Sequence, residues 1–405
     1  MKQRMYRTLS GVERHTYLCD SIRSIPDGFV VSFAQTFFLL IAISVFHTSD
    51  FAKSIISSSN FIGFLLALFT SVLFKGRKIS TAAAALTFLG GVAIILTGCA
   101  VSSWLYVAGV VASGIAINMR PPLFTSLYEQ NYKKTHLGRL YSTAILLSTF
   151  STLFASTAIG FLLDRDIHLY RIPFIVVGCA LVAVSWLVHT IPSGKLGMKR
   201  VTGFLSDLSL LWKNRLFGIM SLSWFLMGFA NLWSLPLRVV YLAEADRGLG
   251  LSPLYVSIVL GIVPPAIRLL TNRMWAVLFD KIELLHYRIL VNVFIGTGIL
   301  LFFATKNLVV INIGNVLLNV GFAGSPFIWN LWVNKIAPAG ESHRYMSVHT
   351  FLAGIRGIAA PFAGFSFIGV FSISMVGYAS VGLVLVSILL LVPLISSLHS
   401  LRPSD

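Results

Sequence analysis

The stretch Leu254–Lys281, LYVSIVLGIVPPAIRLLTNRMWAVLFDK, is long and apolar, yet it carries two prolines and an arginine, Arg268, near its middle. It closes on Ala276–Lys281 (AVLFDK). An earlier apolar run closes on Ser71–Gly76 (SVLFKG) and opens a basic loop. Phe74 and Phe279 are separated by the same length of chain as Pro121 and Pro326, Arg139 and Arg344, and Ser142 and Ser347. Gly109 and Gly314 keep that register. In the first and seventh runs, Ser32–Gln35 (SFAQ) matches Gly228–Asn231 (GFAN) at a separation shorter by nine residues, the length of the loop Glu244–Ser252. A register that changes once, at a loop, implies a chain built twice. Two parallel halves with polar residues at the seam is the plan of a secondary transporter.

Composition agrees. Hydrophobic residues make up 56% of the 405 and charged residues 11%, which leaves no room for a large polar domain beside a membrane part. A bilayer-crossing helix needs about 20 apolar residues. Twelve segments qualify, at approximately 28–46, 51–74, 79–100, 103–128, 138–163, 172–191, 216–243, 254–279, 289–305, 308–335, 347–368 and 376–398. The net charge of +17 sits in short loops between these runs, not on one soluble face, which excludes nucleic acid as a partner. With the N-terminus inside, 22 of the 31 Lys and Arg fall on the cytoplasmic side, so both termini are expected there. The first 27 residues carry five of them and no apolar core, which predicts a cytoplasmic arm and not a signal peptide. Cys19, Cys99 and Cys179 offer neither a disulfide framework nor metal-ligand spacing, and no cofactor is expected.

With these features the chain, over residues 28–398, resembles the major facilitator superfamily. The loop after the eighth segment keeps Asp280 and Lys281, similar to the superfamily's loop motif, whereas the copy after the second has Lys75 in the place of the aspartate. The resemblance implies an all-α membrane protein with twelve transmembrane helices in two pseudo-symmetric six-helix bundles. The expected division is a cytoplasmic arm (1–27), an N-terminal bundle (28–191), a cytoplasmic central loop (192–215), a C-terminal bundle (216–398) and a cytoplasmic tail (399–405). Asp280, Lys281, Arg139 and Arg344 are the gating candidates that it implies. Helices one, four, seven and ten line the superfamily's central path, which points to Gln35, Asn118, Asn231, Asn319 and Asn330 as substrate contacts, with Trp329 packing beside them. Buried amides of this kind also serve as interhelical glue.

An ionised side chain at the bilayer centre costs at least about 2.5–3.5 kcal/mol and so faces the bundle interior or water. At about 1.5 Å per residue, Arg120, Arg268 and Arg356 lie roughly 12–16 Å from the inner surface. Arg238 is nearer the outer end of its segment, where it can snorkel. His349 sits at a helix end, where hydration is the ordinary state. The acidic residues are all expected in loops, the arm, the tail or helix ends. Two readings of the three central arginines stay open. They clamp a bound anion through the guanidinium fork, or they bond carbonyls freed by Pro121–Pro122, Pro264–Pro265 and Pro361. Without a membrane-embedded carboxylate, anion exchange fits better than a carboxylate proton relay.

The function expected is secondary transport of a small solute, an organic or phosphorylated anion, by alternating access. Export of an amphipathic compound or lysolipid is the alternative, and a non-transporting sensor or scaffold is another. No nucleophile–base–acid set or phosphate loop points to an enzyme. The expected setting is the cell (inner) membrane, with lipid and a small-molecule substrate as partners and a monomeric carrier.

Overall fold

The computed structural model describes residues 9–196, 207–332, 336–338 and 342–394; the side chains of 68, 71, 134, 135, 137–139, 280, 326–331, 342 and 343 are not described. Among the described residues there is no strand, only an isolated bridge between Lys78 and Lys195. Eleven helices are long and apolar enough to cross a membrane. The remaining run is the helix Asp50–Leu66, only 17 residues long, which tightens into a 3-10 turn at Ala67–Phe69 before Thr70–Leu73. The described residues are thus all-helical, with twelve apolar helical runs among them where twelve are expected.

The chain divides into two compact units, Met1–Arg200 with Ser252–Ile262, and Val201–Leu251 with Val263–Asp405. The stretch Leu254–Lys281 is shared between them. Its first part, Pro253–Ser257 with the π-helical turn Ile258–Ile262, belongs to the first unit, and Val263–Lys281 to the second.

Residues 11–27, expected as an arm, are helical. The first helix starts at Gly11 and runs to Ser32, continuing through a π-helical turn at Phe33–Phe37 into Phe38–Ser44. Its start is set by a capping box. Ser10 Oγ accepts from the Glu13 amide at 3.2 Å, and Glu13 Oε2 accepts from the Ser10 amide at 3.0 Å. The other Glu13 oxygen accepts from the Lys133 amide and bonds His136 Nδ1, both at 3.1 Å, at the start of helix Lys134–Arg165. One buried carboxylate therefore fixes two helix N-termini, where its charge opposes the positive end of each dipole.

Small residues set the helix spacing inside each unit. A methyl added at Gly91 would lie 2.8 Å from the Gly178 carbonyl oxygen, which holds Ile79–Gly98 close against Arg171–His189. The register pair Gly109 and Gly314 does the same work twice. A methyl at Gly109 would meet the Ala93 carbonyl oxygen at 3.2 Å, and one at Gly314 the Gly298 carbonyl oxygen at 2.8 Å. Without a hydrophobic driving force between helices in lipid, such close backbone approach is what association rests on.

Candidate functional site

The first unit contains a cavity of about 520 Å³. Its polar wall includes Arg23, Asp27, Gln35, Asn60, Asn118 and Arg120. Arg120 is placed there by a break in the chain. The helix Ser103–Asn118 ends, Met119 and Arg120 turn, and Pro121 at the first position starts Pro121–Asn131. The Arg120 side chain then reaches three partners. Nη2 donates to Asp27 Oδ1 at 2.9 Å, Nη1 to Thr87 Oγ1 at 3.3 Å, and Nε to the Ile117 carbonyl at 3.1 Å.

Asp27 is the correction that the structure makes to the sequence reading, because a carboxylate does stand beside a central arginine. The helix Gly11–Ser32 carries Asp20, Arg23 and Asp27 on one face. Arg23 pairs with Asp27 and donates to Asp20 Oδ1 at 2.6 Å. Tyr128 donates to the same Asp20 oxygen at 2.7 Å, and the Arg23 guanidinium lies 4.0 Å over the Phe124 ring. Asp20 Oδ2 is buried and unpaired. Two carboxylates thus face two guanidiniums, and the network is balanced in charge. On the cavity wall, Asn118 donates to Asn60 Oδ1 at 2.9 Å and to the Gly114 carbonyl at 2.8 Å, while Gln35 lies exposed on the π-helical turn.

The second unit holds the other arginines, in contrasting surroundings. Arg268 is exposed, and Nη2 donates to Asn319 Oδ1 at 3.2 Å. The Asn319 amide is itself aimed, because its nitrogen donates to the Asn315 carbonyl at 2.8 Å and to Asn315 Oδ1 at 3.1 Å. Phe322 lies beneath the guanidinium at 5.2 Å. Arg356 is buried against Gly228 and donates to the Trp224 carbonyl. Arg238 is 4% exposed, which corrects the snorkelling expectation, and its Nε and Nη2 are buried with no hydrogen-bond partner. His349 is 1% exposed, wedged between the Trp224 and Trp332 rings at 5.4 and 5.2 Å, and is not a hydrated helix end.

Sequence reasoning also missed Arg288, which it assigned to a loop. It lies inside the helix Leu284–Phe303, 1% exposed, 3.8 Å over the Trp224 ring and bonded to Ser223 Oγ at 3.1 Å. The available signal was Arg288 and Asn292 four apart in an otherwise apolar run, which places both on one helix face. The Asn231 side-chain oxygen is buried without a partner. Of the gating candidates, Arg344 pairs with Asp207 at 2.7 Å, and Lys281 is exposed at the end of its helix. The side chains of Arg139, Asp280, Trp329 and Asn330 lie outside the described residues. No group of three His, Cys, Asp or Glu able to hold a metal occurs among the described residues.

Several solved structures share this architecture. A mutant of the nucleoside transporter NupG superposes with a TM-score of 0.76 at 12% identity, covering 93% of this chain and 98% of the other. The POT family transporter PepTSo gives 0.72 at 12%, covering 96% and 99%. The human organic anion transporter MFSD10 (TETRAN) gives 0.64 at 13%, covering 94% and 99%. No curated protein matches the chain in sequence. A family model described as Major Facilitator Superfamily matches residues 28–361, which include the arginine-bearing helices of both units. The chain is a member of the Major Facilitator Superfamily.

Proposed function

We propose that the protein is a secondary transporter that carries a small organic or phosphorylated anion by alternating access, with Arg268 as the group that receives the anion. One observation carries this reading: Arg268 is exposed and its hydrogen bond goes to a neutral amide, Asn319, not to a carboxylate. An exposed guanidinium on a membrane-spanning helix faces a polar path and needs a counter-charge. Arg120 and Arg356 act as braces instead. Arg120 is neutralised by Asp27 and bonds the Ile117 carbonyl at the Pro121 break, and Arg356 bonds a backbone carbonyl. Within the second unit Asn231 and Asn319 supply the neutral polar contacts, and the Arg344–Asp207 pair belongs to the gate together with Lys281. The structural neighbours are named for nucleosides, a POT family member and organic anions, so they do not choose among substrates.

The test is thermal stabilisation of the detergent-purified protein by a panel of anions, cations and neutral solutes, because a ligand that binds only the folded state raises apparent stability. An anion class should shift the wild type, and Arg268→Ala should weaken that binding about thirtyfold or more. Shifts with neutral compounds alone, unchanged in Arg268→Ala, would refute the anion reading.

A second reading has its own observation. Asp27, with its side chain 14% exposed, is the one carboxylate among the described residues of the cavity wall. A carboxylate able to exchange partners with Arg120 and Arg23 is suited to proton coupling. Uptake that requires a pH gradient and is lost in Asp27→Asn would favour it over exchange.

A further inference from the structure

We infer that the basic face formed by Lys75, Arg77, Lys78 and Lys195 is a docking site for anionic phospholipid, whose phosphate clamps the segment after Ile191 onto the first unit. The inference is independent of the anion reading of Arg268 and concerns a different surface.

The two parts of this face are distant in the chain, and backbone pairing joins them. The Gly76 amide donates to the Leu196 carbonyl at 3.2 Å, the Leu196 amide to the Arg77 carbonyl at 2.9 Å, and the Ile79 amide to the Gly194 carbonyl at 3.0 Å. Gly76 makes the turn at a φ of 74°, a conformation that a side chain resists. Side chains brace the same segment. Ser193 Oγ accepts from the Ser80 amide at 3.0 Å, Gln130 Oε1 from the Gly194 amide at 2.9 Å, and Asn131 donates to the Pro192 carbonyl at 2.9 Å.

This stitching holds like charges together. Lys78 and Lys195 are partners in the antiparallel bridge, so their side chains leave from the same face, where like charges directly opposite repel. Lys75 and Arg77 flank them, and all four are exposed. None of the four has an ion pair among the described residues. The helix Pro121–Asn131, which braces the segment, carries one carboxylate, Glu129, and it pairs with none of them. An external anion is therefore the missing counter-charge, and phosphate suits both lysine and arginine.

The surroundings choose lipid as its source. Just before Lys75, Phe69, Val72 and Leu73 are 46, 51 and 64% exposed at the end of an apolar run. An apolar surface that leads straight into a cationic one matches the boundary between acyl chain and headgroup. Four basic residues beside a membrane helix are a cluster of the size that anionic lipid recognises.

The deciding experiment titrates the detergent-purified protein with phosphatidylglycerol and phosphatidylcholine of the same acyl chains, and reads the melting temperature. Phosphatidylglycerol should half-saturate at a concentration at least about tenfold lower. Lys78→Gln with Lys195→Gln should raise that concentration about tenfold or more and leave phosphatidylcholine unchanged. Arg165→Gln with Lys306→Gln, an equal loss of charge elsewhere, should change it by no more than about twofold, and so should Arg268→Ala. Hydrogen exchange on wild type needs no variant: phosphatidylglycerol should slow the amides of Gly76, Ile79 and Leu196, which make the pairing. Equal half-saturation by the two lipids, an equal loss in the control pair, or no protection at these amides overturns the assignment. Loss of phosphatidylglycerol binding in Arg268→Ala also overturns it, because the lipid is then cargo. Competition by inorganic phosphate or polyglutamate at the lipid's own concentration overturns the choice of lipid.

Discussion

The residue that most changes the picture is Asp27. It neutralises Arg120 at 2.9 Å and also pairs with Arg23, so removing its charge leaves two guanidiniums facing each other on a cavity wall. Asp27→Asn should lower stability by about 3 kcal/mol, the low end for breaking a buried pair, since the carboxylate keeps some exposure. The double variant Asp27→Asn with Arg120→Gln should recover part of the loss. Melting temperatures of both, measured in one detergent, check this, and a double variant no better than the single one would count against the pairing. Part of this network was legible beforehand. Ser10 with Glu13 is a capping box, and Asp20, Arg23 and Asp27 fall on one helical face, so the first helix could have been started at Gly11. The partner could not be read, because Arg120 lies 93 residues away and periodicity gives the face of a helix but not what faces it. Arg268 was legible as one of three central arginines. The burial of Arg238 was not, because a residue near a segment end looks free to snorkel until its surroundings are seen.

At the scale of elements, the membrane runs themselves are the most legible feature, since length and hydropathy alone mark them. Their interruptions are less so. The expected segment 51–74 tightens at Ala67–Phe69, and the first and eighth runs each contain a π-helical turn, at Phe33–Phe37 and Ile258–Ile262. Such turns commonly mark functional sites within helices. The second of them is part of a reciprocal contact with the helix Lys134–Arg165. Gly160 lies against Ser257, and a methyl at Gly261 would sit 2.5 Å from Ser156 Oγ and 2.7 Å from Ser156 Cβ. Ser156 and Gly160 on one helix, with Ser257 and Gly261 on the other, repeat the same small-residue spacing, which allows close backbone approach. Gly160→Leu should therefore cost about 1–3 kcal/mol or more, because the side chain has no room to enter. Gly382 has open space around it, so Gly382→Ala should be neutral or stabilise by up to about 1 kcal/mol, the helix preference of alanine. Equal melting temperatures for the two variants would show that this contact does not hold the helices together.

For the whole molecule, the proposed anion transport by alternating access makes charge the term that decides how the carrier returns after releasing its cargo. The first unit's network of Asp20, Asp27, Arg23 and Arg120 is balanced, whereas Arg268 in the second unit bonds a neutral amide. On the proposed reading, an anion bound at Arg268 neutralises it. Empty, it must reorient with uncompensated positive charge in a medium where each such charge costs several kcal/mol. The empty return is then the slow step, and a second anion on the far side removes it. In proteoliposomes, efflux of a preloaded labelled anion should accelerate about tenfold or more when unlabelled anion is added outside, which corresponds to a barrier lowered by only about 1.4 kcal/mol. Collapsing the pH gradient should leave this exchange unchanged. If efflux into anion-free buffer is as fast as exchange, the empty Arg268 site does not carry the charge proposed for it. If instead the rate follows the pH gradient, a proton on Asp27 carries the coupling, and the balance of the first unit, not the excess charge of the second, governs the cycle.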